Sequence, residues 1–323
     1  MQERIKGKII KGVGGLYEVD TSCGAAGERS SGHRIVTCRA RGIFRYDQIT
    51  PLVGDDVEIV FEGSADADKL SGGAVIDKIL PRKNQLIRPP MANLDYLFLI
   101  IAAKNPDPQP LINDKLISIA EYNKIEPVVI VNKKDLDAVA ADNIVRVYKK
   151  VGIPSFAICK GDSEGIGWLH AFIKTQIKGR CAAFAGVSGA GKSTLLNELF
   201  PQLRLETSEV SRKLGRGRHT TRRVELYPIN EVADGTCGYL ADTPGFSMLD
   251  FEQFDFFTCE DLPYTFREFE KHIGCCKYTK CTHTKEDGCA ILEEVRSGKI
   301  PKSRHDSFVS LYEILKNKKA WKK

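Results

Sequence analysis

The run Gly186-Val187-Ser188-Gly189-Ala190-Gly191-Lys192-Ser193 fits G-x-x-x-x-G-K-[ST]. It follows the apolar stretch Cys181-Ala-Ala-Phe-Ala and opens the helical pattern Thr194-Leu-Leu-Asn-Glu-Leu-Phe. Glycines in such a turn let backbone N–H groups close around a β-phosphate at a helix N-terminus. Lys192 would reach the β- and γ-phosphates, and the Ser193 hydroxyl would ligate Mg²⁺. A second motif, Asp242-Thr-Pro-Gly245, ends the apolar run Gly238-Tyr-Leu-Ala. There Asp242 would hold the Mg²⁺ shell through water, and the Gly245 N–H would sense the γ-phosphate. A third, Asn132-Lys133-Lys134-Asp135, follows Val128-Val-Ile-Val. A carboxylate at Asp135 can accept from both N1–H and the N2 amino group of guanine. Adenine offers neither donor in that place, so the pairing selects guanine by leaving the wrong base unsatisfied.

Gly215-Arg-Gly-Arg-His-Thr-Thr-Arg-Arg223 lies between the phosphate loop and Asp242. Its composition fits a switch segment. One of Thr220 and Thr221, Thr221 in preference, would reach Mg²⁺ through its hydroxyl. Phe246 follows Gly245 where a water-positioning glutamine would stand. His219 is the local candidate to replace that side chain in catalysis, with Lys192, Thr221 and Asp242 beside the reacting phosphate.

The order of the motifs carries its own information. A GTPase of the usual layout reads phosphate loop, switch threonine, D-x-x-G, then N-K-x-D. Here the N-K-x-D run at 132 precedes the phosphate loop at 186. The same parts in this order make a circularly permuted GTPase, a rearrangement that close termini permit.

A different chemistry is written in Cys276-x₄-Cys281-x-His283-x₅-Cys289. Three thiolates and one imidazole make a closed, four-ligand Zn²⁺ site with no position left for water, hence a structural one. Cys275 stands next to the first ligand and could compete for its place.

The elements that must hold these groups change along the chain. Residues 1–85 carry about five short β-branched runs separated by Gly-rich turns, as in a small closed barrel such as an OB-fold; an SH3-like barrel fits the pattern equally. Residues 86–250 alternate apolar strands (Leu94–Ala103, Pro127–Val131, Ser155–Cys159, Cys181–Ala185) with helical stretches, which predicts a parallel sheet covered by helices. Residues 251–323 turn to short helices, the Cys/His cluster and a basic tail. The fold expected is therefore multidomain: a β-barrel, a central α/β P-loop domain and a C-terminal zinc-binding helical domain.

The chain has 323 residues, 48 Lys and Arg against 42 Asp and Glu, and a net charge of +6. Residues 212–223 hold six basic residues and no acid, and residues 299–323 hold eight against Asp306 and Glu313. Two basic stretches on an acidic remainder point to a polyanionic partner, nucleic acid first. The N-terminus lacks the apolar segment of a signal peptide, and no run is long enough for a membrane span, so a cytoplasmic protein without membrane contact is expected.

The barrel, N-K-K-D before G-V-S-G-A-G-K-S, G-R-G-R-H-T-T, D-T-P-G-F and the C-x₄-C-x-H-x₅-C cluster together resemble the RsgA family over essentially the whole chain. That resemblance implies an OB-fold, a permuted GTPase domain and a zinc-binding domain. It also implies a cytoplasmic, monomeric factor that binds GTP and GDP, the 30S ribosomal subunit and its 16S rRNA late in small-subunit maturation, with GTP hydrolysis stimulated by that subunit. Two departures stand out: Ala157-Ile158-Cys159-Lys160 occupies the segment where the family backs the guanine with a Ser-Ala or Ser-Ser pair, and Cys275 is an extra cysteine in the cluster region. A GTP-gated RNA chaperone in which hydrolysis is incidental is the competing class. An ATP-dependent enzyme shares the phosphate loop but leaves the N-K-K-D run unexplained.

Overall fold

The computed structural model describes residues 4–22, 35–46, 49–61, 73–203, 224–229, 238–242 and 256–318. The chain divides into two compact units. One gathers residues 1–96, 170–184 and 218–245; the other gathers 97–169, 185–217 and 246–323.

The first unit begins with β1 (Ile5–Val13), β2 (Leu16–Asp20), β3 (Ile35–Ala40), the short α1 (Ile43–Tyr46), β4 (Asp56–Phe61) and β5 (Ala74–Ile79). Their pairings run β1-β2-β3-β5-β4 and return from β4 to β1, so the barrel is closed and leaves no free edge. Only the β3–β5 pair is parallel. This strand order, with a helix between the third and fourth strands, is the OB arrangement and removes the SH3-like alternative. Alternating apolar residues fill the interior, with Ile9, Val19, Val57, Ile59 and Ile76 fully buried. A two-stranded hairpin follows, β6 (Gln85–Leu86) with β7 (Met91–Ala92).

The second unit carries β8 (Tyr96–Ala102), which begins at the end of the first, then α2 (Pro110–Tyr122), β9 (Glu126–Asn132), α3 (Ala138–Lys150) and β10 (Ser155–Ala157). The order β8-β9-β10 is built from strands apolar on both faces, as burial between helices requires. Pro110 stands in the first turn of α2, where its missing N–H costs nothing. The Asp137 carboxylate accepts the Ala140 N–H and caps α3, and Lys149 and Lys150 oppose the negative end of its dipole.

Helix α4 (Ser163–Gln176) leads to β11 (Cys181–Ala185) and then α5 (Lys192–Leu199). Two further strands belong to the first unit, β12 (Glu225–Ile229) and β13 (Gly238–Asp242), antiparallel to each other, while β13 lies parallel to β11. β12 is a five-residue run interrupted by Pro228 and carries no strand pattern in the sequence. The strand expected over Ser155–Cys159 is shorter: β10 ends at Ala157, and Cys159 lies beyond it. The C-terminal region holds two 3₁₀ turns, Leu262–Thr265 and Arg267–His272, then α6 (Ala290–Arg296) and α7 (Lys302–Asn317).

Candidate functional site: a nucleotide cradle and a metal centre

Gly186 leaves β11 at φ +153°, and a Cβ there would lie 2.4 Å from the Ile100 carbonyl oxygen. Only glycine lets the loop pass this close to β8. The turn closes with Ala190 N–H donating to Val187 O at 3.1 Å, and Leu195 N–H makes the first α-helical bond, to Gly191 O. Lys192, Ser193 and Thr194 therefore form the first turn of α5, whose amides point out of the helix N-terminus in the position that suits an anion. Val187 is half-buried, Ser188 and Gly189 are exposed, and Ala190 is fully buried.

The Asn132 loop is tied to this turn by its own side chains. Asn132 Oδ1 accepts the Lys133 N–H at 2.8 Å while Nδ2 donates to Ala190 O at 3.1 Å. Lys133, in the left-handed region at φ +60°, sends Nζ to Gly189 O at 2.7 Å and to Asn105 O. Two motifs more than fifty residues apart are thus one assembly. Asp135 sits exposed in the 3₁₀ turn Lys134–Leu136. Lys134 N–H donates to Ile158 O and Ile158 N–H to Val131 O, which brings the Cys159–Lys160 segment beside the same loop. Sequence reasoning passed over Asn105, whose carbonyl receives Lys133; its only signal was the turn-forming run Asn105-Pro-Asp-Pro-Gln-Pro110.

Asp242 ends β13 in register with Phe184 of β11, the strand that runs on into the phosphate loop. His219, Thr220, Thr221, Gly245 and Phe246 lie outside the described residues, as does the basic stretch 212–223.

The Cys/His cluster is assembled. The ligand atoms of Cys276, Cys281, His283 and Cys289 lie within 4.8 Å of one another. Cys276 Sγ stands 3.8 Å from Cys289 Sγ, and His283 Nδ1 is 3.5 Å from Cys276 Sγ and 3.6 Å from Cys289 Sγ. Tetrahedral coordination with metal–sulfur bonds of about 2.3 Å and metal–nitrogen bonds of about 2.0–2.1 Å gives S···S edges of about 3.8 Å and S···N edges of about 3.5–3.6 Å. The three observed edges match. Cys275 is exposed and lies outside the group of four that Cys276 joins.

Burial pushes the Cys281 thiol up to about 12, and the thiols of Cys289 and Cys276 add to the rise. Burial lowers the pKa of His283 and keeps its ring neutral. Thiols that resist ionisation beside a neutral imidazole are the donor set a divalent cation relieves. The support around the ligands was not visible in the sequence. His305 Nε2 donates to His283 O at 2.8 Å, which fixes the His305 tautomer. Glu286 receives the Thr282, Thr284 and Lys285 amides; although its burial opposes the charge, these bonds and the Thr282 hydroxyl bring its carboxyl down to about 2.

A phosphate loop on a helix N-terminus, locked to an N-K-x-D loop that comes before it in the chain, defines a circularly permuted P-loop GTPase, here with an OB barrel and a Cys₃His centre attached. The RsgA GTPase family model matches residues 79–252, and the RsgA N-terminal domain model matches residues 6–67. A protein of Caldanaerobacter subterraneus subsp. tengcongensis named small ribosomal subunit biogenesis GTPase RsgA is 40% identical, over 98% of this chain and 97% of its own. A protein of the same name from Clostridium beijerinckii is also 40% identical, over 98% and 99%. Among solved structures, the circularly permuted GTPase YloQ superposes with a TM-score of 0.74 at 31% identity, covering 99% of this chain and 98% of that one. YjeQ from Thermotoga maritima superposes with 0.75 at 28% identity, covering 98% and 100%. The chain belongs to the RsgA family.

Proposed function

We propose that this protein hydrolyses GTP in the biogenesis of the small ribosomal subunit, and that contact with the 30S subunit and its 16S rRNA stimulates the hydrolysis. The observation that carries the reading is the pair of bonds from Asn132 to Ala190 O and from Lys133 to Gly189 O, which sets guanine selection and phosphate binding in one rigid frame. The names borne by full-length relatives at 40% identity supply the ribosomal partner.

In this reading Asp135 accepts the two guanine donors, and Asn132 and Lys133 hold the loop that presents it. The amides from Val187 to Thr194 surround the β-phosphate, and Lys192 neutralises charge that builds on the γ-phosphate. Ser193 and Thr221 hold Mg²⁺ directly and Asp242 does so through water. When bound, that ion supplies electrostatic stabilisation of the phosphate oxygens. Gly245 senses the γ-phosphate, and His219 orients the attacking water. The Cys₃His centre takes zinc, the metal for which a closed set of three thiolates and one imidazole is the usual tetrahedral site. The protein acts as a cytoplasmic monomer; among the described residues no helix is long and apolar enough to cross a membrane.

The test is steady-state hydrolysis of GTP with and without purified 30S subunits, with ATP and 50S subunits as controls. Acceleration of GTP turnover by 30S alone is the expected result. Equal acceleration by 50S, or equal turnover of ATP, would overturn the reading.

A further inference from the structure

β1 changes neighbours along its length. Ile5 to Lys8 pair with β4 and close the barrel, whereas Lys11 pairs with Glu225 of β12. The register against β2 shifts between Ile9 and Lys11, so the strand bends where one neighbour gives way to the other. Glu225 pairs in turn with Asp242 of β13, and Asp242 with Phe184 of β11. One cross-strand row therefore runs Lys11, Glu225, Asp242, Phe184. It begins in the barrel, passes through the backbone of Asp242, the residue assigned to the Mg²⁺ shell, and ends two residues before the phosphate loop. Lys11 Nζ and Glu225 Oε1 are 3.1 Å apart along its first step.

A second tie runs beside it. Tyr239 of β13 is buried and donates its hydroxyl to Asp20 Oδ2 at 3.0 Å; Asp20, at the end of β2, is buried too and accepts the Ser22 N–H at 2.9 Å. Lys8 Nζ lies 5.9 Å from the Tyr239 ring centre and is bonded to Asp56 at 2.7 Å. An apolar pair would fill this space without needing partners. A buried phenol–carboxylate bond instead fixes one placement of β13 against the barrel, since any slip leaves the phenol and Asp20 Oδ2 without each other.

We propose that Lys11, Glu225, Asp20 and Tyr239 are positioning residues that couple the barrel to Asp242, so that small-subunit contact with the barrel changes the hydrolysis rate through this row. The proposal rests on the reading of the protein as a small-subunit GTPase. It makes the barrel an input to the reaction and not only a tether.

Tyr239→Phe and Lys11→Ala in the full chain test it, together with the charge swap Lys11→Glu with Glu225→Lys. Basal turnover without subunits and affinity for 30S are expected to stay at the wild-type level in Tyr239→Phe and Lys11→Ala. The subunit-stimulated kcat is expected to fall by about fivefold or more, the lower end of ordinary coupling between sites. The charge swap is expected to recover the stimulation that Lys11→Ala loses. Unchanged stimulation in both single variants, or a fall that only tracks lost 30S affinity, overturns the proposal.

Coupling is reciprocal for binding, so the same row should be read from the nucleotide side with no ribosomal component present. Hydrogen exchange in β1, at Lys11 to Val13, is expected to differ between GDP and a non-hydrolysable GTP analogue; identical protection overturns the coupling. If wild-type protein is not stimulated by 30S at all, the functional reading fails, and the exchange measurement still decides the coupling.

Discussion

Gly191 stands at φ +90°, and a Cβ there would lie 2.4 Å from Asn132 Nδ2. Gly191→Ala must therefore displace the amide that holds the guanine loop to Ala190 O, besides straining its own backbone. The expected outcome is loss of GTP binding, by titration with a fluorescent GTP analogue, with far-ultraviolet circular dichroism unchanged. Asp135→Ala removes only the exposed carboxylate and leaves the loop's bonds alone. Two hydrogen bonds to a charged acceptor, at about 1.5–3 kcal/mol each, make a loss of about a hundredfold or more in GTP affinity the expected result, with GDP weakened alongside. An Asp135→Ala protein that binds GTP as tightly as the wild type would place guanine selection elsewhere. These residues were legible because their chemistry is local: each motif names its atoms within eight positions. Lys133 was not legible as a brace for the phosphate loop, because the carbonyl it reaches at Gly189 lies 56 residues away.

Helix α7 illustrates what a local reading misses at the scale of elements. Its cations look like a basic tail in the sequence, yet Arg304 is 1% exposed. Its Nη1 meets Asp114 Oδ1 of α2 at 2.6 Å, its Nε meets Glu268 Oε1 at 2.8 Å, and its guanidinium lies 4.4 Å from the Phe266 ring centre. Tyr148 of α3 donates to the same Asp114 oxygen at 3.0 Å. Arg267 repeats the device with Glu121 at 2.5 Å and Glu126 at 3.1 Å. Two arginines thus fasten the region that holds the Cys/His cluster to α2 and to the start of β9, the strand that leads into the Asn132 loop. Arg304→Ala strands two buried carboxylates and is expected to cost about 3–5 kcal/mol in chemical denaturation, far more than loss of an exposed lysine of the same helix such as Lys316. No spacing rule says which of eight cations has a carboxylate waiting 190 residues earlier, so the burial of Arg304 could not be read from the tail alone. The metal cluster could be, because all four ligands fall within fourteen residues. Metal analysis is expected to find one zinc per chain in the wild type and in Cys275→Ser, and none in Cys276→Ser; metal retained in Cys276→Ser and lost in Cys275→Ser would reverse the assignment of the neighbours.

Over the whole molecule, the charge that remains for a partner differs from the charge that the composition counts. The eight cations of residues 299–323 include Arg304, which is spent inside the fold, and Lys302 and Lys299, which face Asp306 and Glu294 at 2.7 and 3.0 Å. The 299–323 stretch therefore offers fewer unopposed cations than its count suggests, and more of the attraction for a polyanion falls to residues 212–223, where six bases stand without an acid. If the partner is ribosomal RNA, each phosphate neutralised releases a counterion, and log K falls linearly with log salt. With about 6–10 phosphates engaged, raising salt from about 50 to 200 mM is expected to weaken association with the 30S subunit by about 10³–10⁵-fold. Replacing Arg216, Arg218, Arg222 and Arg223 by glutamine should flatten that slope by up to about four phosphate equivalents, whereas Lys302→Gln should leave it nearly unchanged because its charge is already opposed by Asp306. Sedimentation binding across a salt series reads both quantities. A slope near zero in the wild type would mean that apolar or protein–protein contacts hold the subunit, and a slope unaffected by the four arginine replacements would move the RNA-facing charge to another part of the molecule.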